Sequence, residues 1–389
     1  MSLDYEARLE RLLARHGDLV LSAGLNGNCH VLHRRDQILV PLAQADRAHQ
    51  AADQWTERRE DLFEVGVTRL HLRPEAGVDV CELTTDLRGH SDGPISASLN
   101  HLMQTAPDYG GGPFNLPQPA ASLPKPSAGN PAGRRAIAGI LDTGIVKHPW
   151  FADTDWFALV TADQLDPIPS GSHYEPDAQT GHGTFVAGIL LRQAPSAFLM
   201  IERVLDDDGI CDELHLLGRL ASLHRRITAS GETLDVLNLS LGGYSFDNLP
   251  SPLVSDALAR FGKHTVVVVA AGNDGSNRPF WPAALKGCVA VGALETDDRR
   301  AEYSNHGWWV DACTVGSDVV GPFITDSTPD GRRFNGYAKW SGTSFAAPRV
   351  AGAVANLIAS KQMSASEAVD FLLDRATRQT RPDFGVVVE

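Results

Sequence analysis

A chain of 389 residues, 43% of them hydrophobic, is long enough for one large domain and a smaller one, each with its own core. A formal charge of −14 with no basic run or stripe excludes a surface built to neutralise phosphates, so no nucleic-acid partner is expected. No stretch reaches the ~20 apolar residues that span a bilayer, and no membrane partner is expected either.

The chain begins Met1-Ser2-Leu3-Asp4-Tyr5-Glu6, charged and lacking the apolar centre of a secretory signal. Five scattered cysteines, Cys29, Cys81, Cys211, Cys288 and Cys313, form no CxxC pair and fit reduced thiols. Together these features predict a cytoplasmic protein. Hydrophobic patterning predicts one or two strands over 29–40, a polar helix over 44–55, an alternating strand over 65–72, a short helix over 78–87 and a last strand over 96–103. That order is roughly βαβαβ, and a ferredoxin-like α+β unit over residues 1–106 is the economical expectation. Residues 107–133 are rich in Pro, Gly, Ala and Ser, a linker composition.

From 134 to 389 the pattern changes. Apolar runs at 136–141, 197–204, 234–239, 265–271 and 288–294 read as strands buried on both faces. Helical stretches at 183–192, 213–227, 252–261 and 345–359 separate or follow them. Repeated βα units predict an α/β domain with a doubly wound, mostly parallel sheet, whose site gathers at the carboxyl ends of the strands.

Three segments there carry hydrolytic chemistry. Ser344, in Ser341-Gly342-Thr343-Ser344-Phe345-Ala346-Ala347-Pro348, opens an apolar helix, where a free N–H and the helix dipole favour developing negative charge. Taken alone, that run reads equally well as a helix N-cap. His182, in Gly181-His182-Gly183-Thr184, has small neighbours that let a nucleophile approach its ring, as a general base requires. Asp142-Thr143-Gly144 also marks aspartic proteases, but that chemistry needs a second matching loop and the chain has none. Asp142 is therefore the carboxylate that orients His182. Asn273, in Gly272-Asn273-Asp274-Gly275, reads either as turn chemistry or as an amide donor to an oxyanion, paired with the Ser344 N–H.

With these four motifs in the order Asp, His, Asn, Ser, the chain resembles the subtilisin-like serine proteases, or subtilases, over 136 to about 376. The resemblance implies a serine endopeptidase that acts through an acyl-enzyme on a polypeptide held in extended form. It implies a substrate cleft with Gly209-Ile210-Cys211 on one side and Ser240-Leu241-Gly242 on the other, pairing with substrate by β-augmentation. Ala270, Ala271, Gly272 and Phe280 belong, on the same grounds, to the pocket for the residue before the scissile bond. A bulky Phe280 there favours small residues, whereas Asp274 would favour basic ones. The family's strongest calcium loop is missing between the His182 helix and the next strand, which leaves at most a weak calcium site and no cofactor. Phe345 stands where the family has Met. The acidic run Asp206-Asp207-Asp208 reads as solvated loop charge, or as a preference for basic residues upstream of the cut. Residues 96–106 resemble the last strand and tail of a subtilase pro-domain, which makes the N-terminal unit an expected intramolecular inhibitor. Two rivals remain: a catalytically quiet protein that keeps the cleft to bind peptides, and a sedolisin-type peptidase, which would leave the Gly181-His182-Gly183-Thr184 segment unexplained.

Overall fold

The computed structural model describes residues 5–23, 30–75, 77–105, 116–127, 133–168, 179–327 and 331–389. Cys29, Ala106 and much of the expected linker lie outside these residues.

The N-terminal unit runs α1 (Tyr5–Arg15), β1 (Leu19–Ala23), β2 (His30–Pro41), α2 (Ala45–Ala52), β3 (Thr56–Leu62), β4 (Val67–Leu72), α3 (Val80–Arg88) and β5 (Ser98–Gln104). Its sheet order is β3-β4-β2-β5, with every neighbouring pair antiparallel and β1 added on β2. From β2 to β5 this is a βαββαβ unit of ferredoxin-like order. The expected βαβαβ reading lacked β3, whose sequence Thr-Glu-Arg-Arg-Glu-Asp-Leu has no apolar alternation. β3 is an edge strand held by charge: Arg69 bonds Glu60 at 2.6 Å and Arg59 bonds Asp46 at 2.6 Å. Charged side chains on an edge also discourage pairing with other chains.

Part of the expected linker is structured. β6 (Gln118–Pro119) adds to a hairpin formed by β14 (Val319–Ser327) and β15 (Arg333–Trp340).

The larger unit is an eight-stranded sheet. Its strands are β7 (Ile137–Asp142), β8 (Phe198–Arg203), β10 (Val236–Leu239), β11 (Val266–Ala270), β12 (Cys288–Leu294), β13 (Ala312–Val315), β16 (Thr380–Arg381) and β17 (Gly385–Val387), in the order β16-β17-β13-β12-β11-β10-β7-β8. All pairs are parallel except β16 with β17. The run Val-Val-Val-Val-Ala of β11 lies in the middle, covered on both sides, which is why it carries no polar alternation. One core packs α4 (His182–Gln193) and α7 (Thr343–Lys361) against the sheet, with α8 (Ala365–Leu372) beyond them. The other core packs α5 (Glu213–Ser230) and α6 (Pro252–Ala259) on the opposite face. α4 and β8 are joined by residues 194–197 alone, so the loop expected to be missing there is missing. Among the described residues no helix is long and apolar enough to cross a membrane.

The two units share apolar packing. Leu39, Val67 and Met103 of the N-terminal unit are buried in one cluster with Leu216, Leu220, Leu253 and Val254 of α5 and α6. Phe246 of the larger unit is buried in the core of the smaller. Each such large side chain is worth roughly 1.5–3 kcal/mol of burial.

Candidate active site

Because β8 and β10 leave β7 on opposite sides, a crevice opens at the carboxyl end of β7. Asp142 is the last residue of β7 and is fully buried. His182 is the first residue of α4. The preceding Gly181 has φ +89°, a left-handed conformation that turns the chain into the helix without a side-chain penalty. A Cβ on Gly183 would run into the Gly144 carbonyl, so the two loops approach each other closely only because that residue is glycine.

His182 Nδ1 donates to Asp142 Oδ1 at 2.7 Å, and the Thr143 N–H donates to the same oxygen at 2.8 Å. This bond fixes the tautomer that leaves Nε2 as the base. Trp340 and Phe345 hold the imidazole ring at centroid distances of 5.5 and 5.3 Å. The Phe at 345 therefore packs directly on the base.

Ser344 lies in the first turn of α7, where its own N–H has no helical partner. Its Oγ donates to the Ser240 carbonyl at 3.1 Å, while His182 Nε2 is buried without a partner among the described residues. Ser344 Oγ therefore bonds beside the end of β10 and not to His182. Ser240 Oγ donates to the Ser344 carbonyl at 2.8 Å and ties the strand end to the helix.

Asn273 follows β11. Its Oδ1 accepts from Thr343 N–H at 2.9 Å and Thr343 Oγ1 at 2.8 Å, which turns its Nδ2 into the free donor. That amide and the Ser344 N–H are the two donors expected to receive an oxyanion. Asn273→Ala is expected to lower kcat by ~10²–10³ with little change in KM, read from steady-state peptide hydrolysis. The scale is that of losing one such donor in a subtilisin, and the lost Thr343 bonds add to it.

Of the segments expected to flank a cleft, β9 (Ile210–Asp212) stands on one side and residues 240–243 on the other. β5 lies between them. It pairs antiparallel with β9, Met103 facing Cys211 and Gln104 facing Ile210. On its other side Gln104 N–H donates to the Gly242 carbonyl at 2.8 Å, and Gly242 N–H returns a bond to the Gln104 carbonyl at 3.0 Å. Thr105 N–H then bonds the Gly209 carbonyl at 2.9 Å. The N-terminal unit thus lays its own strand between the two segments expected to flank a substrate.

Charge joins the units as well. Asp208, expected in a solvated loop, is buried and paired with Arg15 and with His16, the latter at 3.1 Å. Burial pushes its carboxyl up, but the bonds from His16 and Arg15 outweigh that and leave it below the ordinary value. Arg34 pairs with Asp212 at 2.9 Å and Arg88 pairs with Asp247. Glu213, fully buried at the start of α5, accepts from Ser98 Oγ at 3.0 Å, His101 Nδ1 at 3.2 Å and Ser251 Oγ. Sequence reasoning singled out the acidic side of this seam without its basic partners, because nothing in the pattern relates residues nearly two hundred positions apart.

Phe280 is buried, and a Cβ on either Gly242 or Gly272 would meet its ring. The aromatic ring therefore fills the space between the two segments that flank the pocket. Asp274, the alternative determinant, accepts a 2.7 Å bond from Tyr244 Oη, and Arg278 lies over the Tyr244 ring at 4.5 Å. Burial pushes the Asp274 carboxyl up to about 6 despite the Tyr244 bond, and that bond commits one of its oxygens to Tyr244.

A model of the subtilase family matches residues 133–386. The chain belongs to that family. This subtilase is 36% identical over 234 residues to the thermophilic serine proteinase of Bacillus sp. (strain AK1), a match covering 57% of this chain and 51% of that protein. It therefore spans about half the length of that relative. Thermitase of Thermoactinomyces vulgaris is 34% identical over 60% of this chain and 78% of its own. Subtilisin DY of Bacillus licheniformis is 33% identical over 68% and 91%. Among solved structures, fervidolysin from Fervidobacterium pennivorans, described as a keratinolytic enzyme related to subtilisin, shares the fold at a TM-score of 0.62. It has 18% identity and covers 92% of this chain and 60% of that one. A lanthipeptide protease overlays at a TM-score of 0.51 with 25% identity, over 65% and 85%. The Asp142–His182 bond and Ser344 at the head of α7 lie within the residues that the family model matches.

Proposed function

We propose that this subtilase cleaves extended polypeptides after small residues, and that its N-terminal unit restrains the site from within as a pro-domain does in a zymogen. In the reaction His182 takes the proton of Ser344 as Oγ attacks the peptide carbonyl. Asn273 Nδ2 and the Ser344 N–H receive the oxyanion, His182 returns the proton to the leaving amine, and water then releases the acyl group.

The observation that carries the restraint is the register of β5. Gln104 and Thr105 use the backbone groups of Gly209 and Gly242 that a substrate would need. The sequence continues with Ala106, a small residue, beyond the described part. The preference for small residues rests on the Phe280 ring between Gly242 and Gly272. Cleavage of a peptide library is the test, and preference for Leu or Phe before the scissile bond would overturn the reading. Phe280→Ala is expected to raise kcat/KM for a Leu or Phe substrate relative to an Ala substrate by roughly 10–200-fold, the span of hydrophobic pocket selectivity. It is also expected to lower stability by about 3–5 kcal/mol, read from chemical unfolding.

The proposed compartment is the cytoplasm. The four described cysteines, Cys81, Cys211, Cys288 and Cys313, are free thiols, which suits a reducing environment. Fractionation of the producing cell tests this, and recovery outside the cytoplasm would refute it. The rival of a catalytically quiet peptide binder is favoured by one observation, the bond of Ser344 Oγ to the Ser240 carbonyl in place of His182. The two readings part on whether Ser344 acylates once the cleft is cleared.

A further inference from the structure

Behind the triad lies a second buried carboxylate that the steps above do not use. Asp166 follows the 3-10 turn Ala162–Gln164 and is 5% exposed. Its Oδ2 accepts two hydrogen bonds of 2.7 Å, from Thr143 Oγ1 and from the Gly181 N–H. Those donors are the immediate chain neighbours of Asp142 and His182. Thr143 Oγ1 accepts in turn from the Gly183 N–H at 3.1 Å, so one carboxylate and one hydroxyl hold the backbone on both sides of His182. The segment is itself fixed to the Asp142 loop: Asp166 N–H bonds the Ile145 carbonyl at 3.0 Å, and Ile145 N–H bonds the Gln164 carbonyl at 3.2 Å. Asp166 Oδ1 is buried with no partner among the described residues. A carboxylate oxygen left unpaired in the interior costs stability, so folding alone does not explain the residue.

We propose that Asp166 is a positioning residue of the triad, which ties the loop carrying Asp142 to the loop carrying His182 and adds a second negative charge behind the imidazolium. The charged groups around it are Asp142 at the end of β7 and Arg203 at the end of β8, with His182 one residue beyond the Gly181 donor. Burial is the largest influence and Asp142 adds to it. The bonds from Thr143 and Gly181 and the charge of Arg203 oppose them, and the carboxyl is pushed up from 3.8 to about 7. A carboxyl raised in this way holds a proton in the folded chain that the unfolded chain has already lost. Its contribution to stability is therefore greatest at acid pH and declines as pH rises from about 4 to about 7. Above that range the ionised form strengthens the field that favours protonated His182.

Asparagine separates the two parts of this role. Its amide oxygen accepts the same two bonds but carries no charge, whereas alanine removes both. The test is the pH titration of the low-field His182 Nδ1–H proton by NMR in the full chain and in Asp166→Asn, with thermal unfolding in parallel. The His182 midpoint is expected to fall by roughly one pH unit in Asp166→Asn. Asp166→Ala is expected to lower kcat at least tenfold with KM little changed, and Asp166→Asn to recover most of that rate above the His182 midpoint. An unchanged His182 midpoint in a folded Asp166→Asn chain overturns the proposal. So does an unchanged kcat in a folded Asp166→Ala chain. If Asp166→Ala does not fold, the Asn titration decides alone.

Discussion

His182→Ala lowers kcat for peptide hydrolysis by on the order of 10⁶, the scale of losing the triad base in a subtilisin, while KM changes little. The reason is geometric. With its Nδ1 proton committed to Asp142, His182 keeps Nε2 free to act as the base. What remains is the catalysis of Asn273 and the Ser344 N–H, which is worth ~10³–10⁴ over water. The substitution also leaves a space between Trp340 and Phe345, so stability falls together with activity. Single-turnover hydrolysis of a chromogenic peptide, with unfolding measured on the same preparation, separates the two effects. A loss below a hundredfold in a folded variant would mean that another group serves as the base.

The second large effect has the opposite sign. Gln104→Pro removes the N–H that bonds the Gly242 carbonyl and places a ring at the end of β5, where it faces both β9 and residues 240–243. Freed from that register, the tail should leave the cleft, and hydrolysis of an extended peptide is expected to rise by ~10² or more. That corresponds to about 3 kcal/mol of lost docking at that end, the sum for two or three backbone bonds with the burial they secure. The apolar and ionic seam away from the cleft, with Leu39, Val67 and Arg88, stays intact, so the two units are expected to remain associated. Activity that is already full in the unsubstituted chain and unchanged in Gln104→Pro would remove the inhibitory role.

Much of the larger unit was legible because its physics is local. Buried parallel strands read as continuous apolar runs, and the five assigned from sequence match β7, β8, β10, β11 and β12 within two residues at each end. The candidate site residues stand out in the sequence because glycines and small residues mark the places where loops must meet. What stayed hidden depends on distant partners. β3 carries no apolar pattern and is held by ion pairs across strands. β13 and β17 are only four and three residues long and gain meaning from a neighbouring strand. Asp166 sits in Leu165-Asp166-Pro167, with no motif around it, and its importance comes from Thr143 and Gly181, which the fold brings to it. The Asp206 to Asp208 run was visible, but the burial of Asp208 against Arg15 and His16 follows only from the docking of α1.

Fluorophosphonate labelling of Ser344 tests the central claim most directly, since the reagent reports an activated nucleophile without regard to the peptide preferred. The prediction is slow labelling of the unsubstituted chain, rapid labelling of Gln104→Pro to one equivalent at Ser344, and none in Gln104→Pro carrying Ser344→Ala. A folded Gln104→Pro chain that takes up no label, or label that survives Ser344→Ala, would contradict it.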